Sequence, residues 1–316
     1  MMPSEKRTRG CYYTQGNPFR LEAFVDWATR AQLDEHTILE PFAGCNNLIT
    51  MLRDVGLCRA YQSYDSAPTA QDVVQRDTLR AFPSGYHVCV TNPPWLARNS
   101  ATRRGLAYLA TRYDDLYKHC LELCLQHCRF VAALVPATFL QSGLFRARLH
   151  TYILLHDRGL FTDTDNPVCL ALFDAQPSPD VLIYHDDRKI GWISELEAHL
   201  PRPAMSVPLR FNDKHGALGF VSFDNTVEPS IRFCPAEEIE AYPVKGTSRF
   251  FTRIGGDVGR DVVGLAHALN ERVWDMRAKT CDVLLTPFKG LRADGVYRRR
   301  MSFALARGLI SEALQG

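Results

Sequence analysis

The chain has 316 residues, enough for two domains of about 150 residues each. Hydrophobic residues make up 46% and charged residues 23%, which excludes a disordered, collagen-like or coiled-coil protein. No run approaches the ~18 apolar residues of a membrane span, and the N-terminus has no secretory signal, so we expect a cytoplasmic protein with no membrane partner. The net charge is +2, yet 13 lysines and arginines against 7 acidic residues lie from Lys245 onward. A solvated basic surface and contact with nucleic acid explain this excess equally well.

The ten cysteines are scattered through a long chain with no export signal, so we interpret them as reduced thiols. Cys120, Cys124 and Cys128 recur every four residues, which places them on one face of a helix. Three such positions spread along about 12 Å of helix, too far to close on one ion. We therefore predict that they pack in the core and that the chain has no metal site.

Apolar runs typical of strands alternate with helical patterns through the first 200 residues, which predicts an α/β fold with a parallel sheet. Helices are predicted over 20–33, 47–55 and 106–128. Strands are predicted over 37–40, 61–64, 86–91, 130–135, 168–173 and 181–184. The pattern breaks at Leu200-Pro201-Arg202-Pro203, and beyond it we predict helices over 262–277 and 302–314, with short strands and loops between 208 and 251. The predicted domains are residues 1–200 and 201–316.

The strongest chemical signal is Asn92-Pro93-Pro94-Trp95, which directly follows a predicted buried strand. Ligands of open α/β sheets bind at the carboxyl ends of strands. Two prolines make a rigid turn without backbone donors, so the Asn92 side-chain oxygen and a proline carbonyl can each accept a hydrogen from an exocyclic NH2 group. The aromatic ring of Trp95 can stack on the ring that carries this amine.

A second signal is Glu40-Pro41-Phe42-Ala43-Gly44, a small-residue turn after the first strand that lets a ligand approach the next helix. Asp65 lies 25 residues past Glu40, close to the ~20-residue interval of carboxylates that bind ribose hydroxyls. Asp77 ends the following segment. Each acid alone would be interpreted as a solvated loop residue, but three in order before Asn92 indicate a nucleotide site.

These motifs resemble the S-adenosylmethionine-dependent N6-adenine DNA methyltransferases of the gamma arrangement, over about residues 11–175. In that family an N-terminal cofactor motif precedes the glycine-containing loop, the Asn-Pro-Pro-aromatic turn and a target-recognition region. The segment from Cys11 to Phe19 resembles the N-terminal motif, with Gln15 where the family has proline. Asn46 stands where the family has a second glycine, and Trp95 replaces tyrosine or phenylalanine.

The resemblance implies a Rossmann-like class I methyltransferase sheet with a smaller C-terminal target-recognition domain. It implies a catalytic role for Asn92, Pro93, Pro94 and Trp95, and Phe161 is the candidate for covering the other face of an extruded base. A core phenylalanine explains Phe161 equally well. The implied binding residues for S-adenosylmethionine are Tyr13, Thr14, Glu40, Pro41, Phe42, Ala43, Gly44, Asp65, Asp77, Thr78 and Asn92.

The expected activity is site-specific methylation of adenine N6 in double-stranded DNA, with base flipping, by the modification enzyme of a restriction-modification system. We expect a monomer, with a restriction endonuclease of the same site as partner. Candidate DNA contacts are basic residues after the turn and in the C-terminal region, namely Arg98, Arg103, Arg104, Lys245, Arg249, Lys289, Arg292, Arg298, Arg299 and Arg300.

Other interpretations stay open, because an Asn-Pro-Pro-aromatic turn specifies an NH2 acceptor and not a polymer. Adenine in RNA or a glutamine side chain in a protein would also fit. N4-cytosine methylation is disfavoured, since those enzymes more often carry serine or aspartate at the position of Asn92. C5-cytosine methylation is disfavoured too, because no Pro-Cys pair ends a matching strand. The altered residues Gln15 and Asn46 also allow an inactive module that binds DNA.

Overall fold

The computed structural model of the protein describes residues 17–156, 166–243 and 245–315. The chain divides into two compact units, the first ending at Trp192 and the second beginning at Ile193. The boundary that the sequence analysis predicts, near residue 200, lies a little further along the chain, after a short helix. Among the described residues, no helix combines the length and the apolar character that a bilayer crossing requires.

The first unit is built on one nine-stranded sheet. Its strands in chain order are β1 (Thr37–Glu40), β2 (Ala60–Asp65), β3 (Val74–Gln75), β4 (Val88–Thr91), β5 (Phe130–Pro136), β6 (Leu149–Leu155), β7 (Val168–Phe173), β8 (Leu182–His185) and β9 (Arg188–Trp192). They lie side by side in the order β3-β2-β1-β4-β5-β7-β6-β8-β9. Neighbours from β3 to β5 are parallel, whereas β7 runs antiparallel between β5 and β6. This arrangement confirms the predicted Rossmann-like class I methyltransferase sheet.

The strand order places a ligand site at one point of the sheet. The chain moves outward from β1 to β2 and β3, then crosses back to β4 on the other side of β1. Such a reversal leaves a crevice outside the carboxyl ends of the two central strands. Here those ends are Glu40 on β1 and Thr91 on β4, so the two sequence motifs with chemical character meet at the crevice.

Helices connect these strands, and the longest predicted one is shorter than expected. The first unit contains α1 (Glu22–Arg30), α2 (Asn47–Asp54), α3 (Arg98–Arg103) and α4 (Leu116–His127). The prediction of one helix over 106–128 is wrong at its start, because Ala97 forms a β-bridge with Asp115. That bridge and the Arg98 side chain, which donates to the Thr111 and Tyr113 carbonyls, hold the segment between α3 and Asp115 in a non-helical conformation.

The core of the first unit contains the cysteines that share one helix face. Cys120 and Cys124 are fully buried and Cys128 is almost so, which confirms their predicted packing role. Strand β6 was not predicted, because the continuous apolar run from Tyr152 to Leu155 does not distinguish a strand from a buried helix.

The second unit is a smaller α/β body with its own core. Its elements are the short helix α5 (Ile193–Glu197), then β10 (Leu209–Phe211), β11 (Leu218–Val221), β12 (Arg232–Pro235), β13 (Phe251–Gly256), α6 (Val262–Thr280), β14 (Thr286–Leu291), β15 (Tyr297–Arg300) and α7 (Phe303–Ala313). Four of the strands form an antiparallel sheet in the order β10-β13-β11-β12. The hairpin of β14 and β15 and two helices complete the unit, with α6 packed on β12 and against α7.

A buried carboxylate, Asp224, connects three parts of this unit. It is fully buried and receives two parallel hydrogen bonds from the Arg277 guanidinium on α6, at 2.7 and 2.8 Å. Arg292 donates to it at 3.1 Å, and the backbone N–H of Arg299 on β15 also does. Because both arginines hold the charged form, the Asp224 pKa lies below its ordinary value despite burial.

Removing this carboxylate should therefore lower the free energy of unfolding of the second unit. We expect Asp224→Ala to destabilise it by about 3–5 kcal/mol, because two guanidiniums lose a buried counter-charge. Urea unfolding of the full chain, followed by far-UV circular dichroism, measures the change. Asp257→Ala, at an exposed position of the same unit, is the matched control and should change stability by less than about 0.5 kcal/mol. Equal effects of the two substitutions would contradict the assigned role.

Candidate active site

The site begins with a carboxyl group at the end of β1 that contacts the end of β4. Glu40 is 1% exposed, and its Oε1 accepts hydrogen bonds from the Phe42 N–H at 2.9 Å and the Thr91 hydroxyl at 2.8 Å. The backbone N–H of Asn92 also donates to Glu40. One side chain thus holds the glycine-containing loop and the start of the Asn92 turn at a fixed separation.

Burial changes the protonation of this group. Desolvation raises the pKa of Glu40 from 4.5 to about 8, and the nearby Asp65 carboxylate adds to the increase. Glu40 Oε2 is shielded from solvent and has no hydrogen-bond partner among the described residues. At neutral pH the carboxyl group is therefore mainly neutral.

The loop after β1 keeps its shape without the family's second glycine. Gly44 has φ +55° and Asn46 has φ +64°, both in the left-handed region. Asparagine tolerates this region better than other residues with a side chain. Asn46 is also buried, and it donates to Asp72 at 2.7 Å and accepts from the Ser63 hydroxyl at 2.8 Å. The hydrogen bonds to Asp72 and Ser63 therefore stabilise asparagine in a conformation that glycine would adopt without strain.

The two predicted acidic residues lie near this loop in different environments. Asp65, at the end of β2, accepts from the backbone N–H groups of Gly44 and Ala67, at 2.9 and 2.8 Å. A carboxylate has about four acceptor positions, so Asp65 retains capacity for a ligand hydroxyl. Asp77 is exposed and pairs with Arg80 at 3.2 Å. The neighbouring Thr78 is buried, and its hydroxyl donates to the Pro41 carbonyl at 2.9 Å.

The Asn-Pro-Pro-Trp turn directly follows β4. Pro93 is buried, and the side-chain oxygen of Asn92 is shielded from solvent. Trp95 is only 7% exposed, and its indole N–H donates to the Leu134 carbonyl on β5 at 3.4 Å. The indole is therefore held in one orientation, with little of its ring open to solvent.

Of the basic residues after the turn, Arg98 and Arg103 lie on helix α3 and Arg104 directly follows it. Arg98 donates to the Tyr113 carbonyl at 2.8 Å, and its guanidinium lies over the Tyr108 ring. These contacts give Arg98 a structural role. Arg103 and Arg104 are exposed.

In the second unit the structure separates the predicted DNA contacts into two groups. Arg292 and Arg299 are buried, at 7% and 1% exposure, so the prediction that they contact DNA is wrong. Arg292 is committed to Asp224 and Asp294 instead. Arg298 donates to the Asp224 carbonyl and lies over two phenylalanine rings. The residues with at least partial exposure are Lys245, Arg249, Lys289, Arg298 and Arg300.

Three predicted site residues, Tyr13, Thr14 and Phe161, lie outside the described residues. Conversely, sequence analysis missed Thr91, Ser63 and Asp72, which hold Glu40 or Asn46 in place. Thr91 had a detectable signal, a polar residue at the end of a buried strand. Ser63 and Asp72 had none, because their contacts are with residues distant in sequence.

Comparisons with known proteins give fold-level likeness only. No family model matches the chain, and no curated protein sequence does. Among solved structures, it is similar to a type I restriction-modification methyltransferase subunit from Streptococcus thermophilus, with 14% identity, TM-score 0.39, and coverage of 54% of this chain and 47% of that one. The chain thus spans about half of that subunit's length.

Two further structures are similar at the same level. The EcoKI M protein of a type I restriction enzyme has 12% identity and TM-score 0.38, with 96% of this chain and 70% of that chain covered. The DrdV–DNA complex has 15% identity and TM-score 0.41, with 58% and 28% covered. With TM-scores below 0.5, these likenesses carry no weight for the function of this chain.

The raised pKa of Glu40 predicts a pH-dependent stability. Its folded-state pKa of about 8 lies above the ordinary 4.5, so its contribution is complete below pH 4.5 and is lost as the pH rises through 8. Glu40→Gln cannot lose this proton, so its stability relative to the wild type should increase from pH 5 to pH 9. Urea unfolding at both pH values measures this difference. Glu35→Gln, an exposed control in the same unit, should show none, and a pH-independent Glu40→Gln difference would contradict the protonation assignment.

The geometry at Asn46 predicts a ranking of substitutions. Asn46→Gly loses two buried hydrogen bonds, and Asn46→Ala loses the same bonds and also adopts a left-handed φ at a cost of about 1–2 kcal/mol. We expect alanine to be the more destabilising substitution by about 1 kcal/mol, measured by urea unfolding. Equal losses in the two variants would show that backbone strain is unimportant here.

Proposed function

We propose that the protein is an S-adenosylmethionine-dependent DNA methyltransferase that modifies N6 of adenine. The observation that carries the proposal is the placement of Asn92-Pro93-Pro94 at the carboxyl end of β4, beside the loop after β1 and at the reversal of strand order. A hydrogen-bond acceptor pair for an NH2 group and a loop that fits a nucleotide cofactor thus occupy one crevice.

The residues of the loop fit S-adenosylmethionine by their donor and acceptor chemistry. Asp65 has free acceptor capacity for ribose hydroxyls, and the exposed Asp77 can accept from the adenine amine of the cofactor. Glu40 positions the loop through the hydrogen bond that its Oε1 accepts from the Phe42 N–H. The left-handed conformations of Gly44 and Asn46 keep the loop backbone close to the start of α2.

The residues of the turn act on the acceptor amine. S-adenosylmethionine would supply an electrophilic methyl group on a sulfonium centre. Its transfer to the amine nitrogen would break the methyl–sulfur bond, leave a neutral thioether and release one amine proton to solvent. The side-chain oxygen of Asn92 and the Pro93 carbonyl each accept one amine hydrogen, which favours a pyramidal nitrogen whose lone pair is directed at the methyl group. No covalent bond to the enzyme is required, and the remaining acceleration comes from alignment of the donor and acceptor atoms.

A base in duplex DNA has to leave the helix to reach this turn, at a cost of a few kcal/mol. Trp95 would form one wall of the base pocket, with its ring orientation set by the bond to Leu134. Phe161 remains the candidate for the opposite face. The second unit would act as the target-recognition domain, and a restriction endonuclease of the same site would be the functional partner.

Substitution of the turn asparagine tests the chemistry directly. We expect Asn92→Ala to reduce methyl transfer at least 100-fold, because its side-chain oxygen accepts a hydrogen from the amine that receives the methyl group. The Kd for S-adenosylmethionine should change only a few-fold. Transfer of labelled methyl groups and calorimetric cofactor binding measure the two effects. Asn99→Ala on exposed helix α3 is the matched control. Unchanged turnover in Asn92→Ala would remove Asn92 from the reaction.

The same labelling reaction identifies the substrate. Duplex DNA, structured RNA and cell-extract protein are incubated separately with wild-type protein and then digested to monomers. N6-methyladenine in DNA is the expected product. Label in RNA or in glutamine would overturn the DNA assignment, and absence of label in all three would favour an inactive binding module.

A further inference from the structure

The second unit contains a cavity of about 430 Å³ that the catalytic residues do not use. It lies between the segment before β13 and the end of β15 with the start of α7. Arg249 comes from the first of these segments and Arg300 from the second. The volume falls within the range of small-molecule pockets, about 300–1,000 Å³, so it has room for a phosphate group with an attached sugar.

The two arginines bring uncompensated positive charge to this cavity. Within the described parts of the chain, no carboxylate lies within 4.0 Å of the Arg249 or Arg300 guanidinium, in contrast to Arg277 and Arg292 of the same unit. Burial and the neighbouring Arg249 charge lower the pKa of Arg300. Two like charges held close together without a counter-charge are stabilised by an anion between them.

The cavity walls are held by internal hydrogen bonds. Asn212 donates to the carbonyls of Gly246 and Ser248, at 3.1 and 3.2 Å, and accepts from the Thr252 hydroxyl at 2.7 Å. The Arg249 carbonyl accepts from the Ser222 hydroxyl at 2.6 Å, which fixes the backbone that carries this guanidinium. These hydrogen bonds therefore fix the backbone around Arg249.

Aromatic rings adjoin the cavity. Phe250, next to Arg249 in the chain, is 42% exposed, and its ring lies 4.9 Å from that of Phe223. Phe223 forms a β-bridge with Arg300, and the Arg298 guanidinium lies 5.3 Å from the Phe223 ring centroid. Interleaved arginines and partly exposed aromatic rings are typical of surfaces that bind nucleic acid.

We propose that Arg249 and Arg300 together bind one phosphodiester group of a nucleic-acid backbone in this cavity. The inference rests on the proposed function for the identity of the polymer. Arginine presents a planar fork of donors that matches phosphate oxygens, and two forks on one phosphate would fix the register of the second unit on the strand.

The salt dependence of DNA binding tests whether the two arginines contact the same phosphate. Each phosphate contact contributes about 0.9 to the slope of log K against log salt concentration for duplex DNA. We expect the double variant Arg249→Gln, Arg300→Gln to bind a fluorescent random-sequence duplex at least 10-fold more weakly at low salt. Its slope should fall by about 0.9, since both residues contact the same group. A fall of about 1.8 would indicate two separate phosphates and would overturn the inference.

Controls separate charge, folding and geometry. Arg260→Gln removes the same charge from an exposed position outside the cavity and should leave the slope unchanged. Arg300→Lys retains the charge but not the fork, so it should keep most of the slope while affinity falls several-fold. Thermal unfolding confirms that each variant is folded, and the exposed Arg249→Gln alone tests the inference if Arg300→Gln does not fold.

Two further outcomes distinguish this inference from the proposed function. If inorganic phosphate raises the Tm of the wild type but not of the double variant while DNA binding is equal in both, the cavity binds a small phosphate and the inference fails. The wild-type protein could also bind the duplex, and the double variant show the expected fall in slope, while no DNA is methylated. In that case the inference stands and the proposed activity fails.

Discussion

The candidate active site depends on the buried carboxyl group of Glu40. This single side chain accepts from the loop after β1, through the Phe42 N–H, and from the end of β4, through Thr91 and the Asn92 N–H. Parallel strands present their carboxyl ends at one edge but do not by themselves fix the loops beyond them. Glu40 supplies that link, because its contacts join the segment suited to a cofactor with the turn suited to an acceptor amine. Its neutral form keeps this link inside the core at a lower desolvation cost than a carboxylate would require.

The second unit uses charge in two opposite ways. Around Asp224, guanidiniums and a carboxylate are buried together, and each charge has partners that satisfy it. At the cavity, Arg249 and Arg300 stand close together without such a partner among the described residues. The first arrangement holds the unit's helices and hairpin in place, whereas the second leaves two guanidiniums available to an anion. A basic C-terminal region thus contains both structural and available arginines, and only the positions of the carboxylates distinguish them.

Sequence patterns predicted the central strands well because each is a short apolar run followed by a polar residue, as at Thr37–Glu40 and Val168–Phe173. The turn at Asn92 was placed correctly for the same reason. The roles of Arg292 and Arg299 were predicted wrongly, because charge counting does not reveal that Asp224, about 70 residues away, lies against them. The shape of the loop at Asn46 could not be predicted either. It depends on Ser63 and Asp72, whose proximity arises only when β2 pairs with β1.

The left-handed Asn46 also constrains how this loop can change during evolution. Asparagine and glycine codons differ at two nucleotides, so a stepwise change of Asn46 to glycine passes through aspartate or serine. Aspartate would place a second carboxylate where Asn46 now donates to Asp72 at 2.7 Å. Serine would lack both the reach of the amide and its tolerance of positive φ. Each intermediate therefore loses contacts that Asn46 makes with Asp72 or Ser63, so we expect these three residues to be retained together.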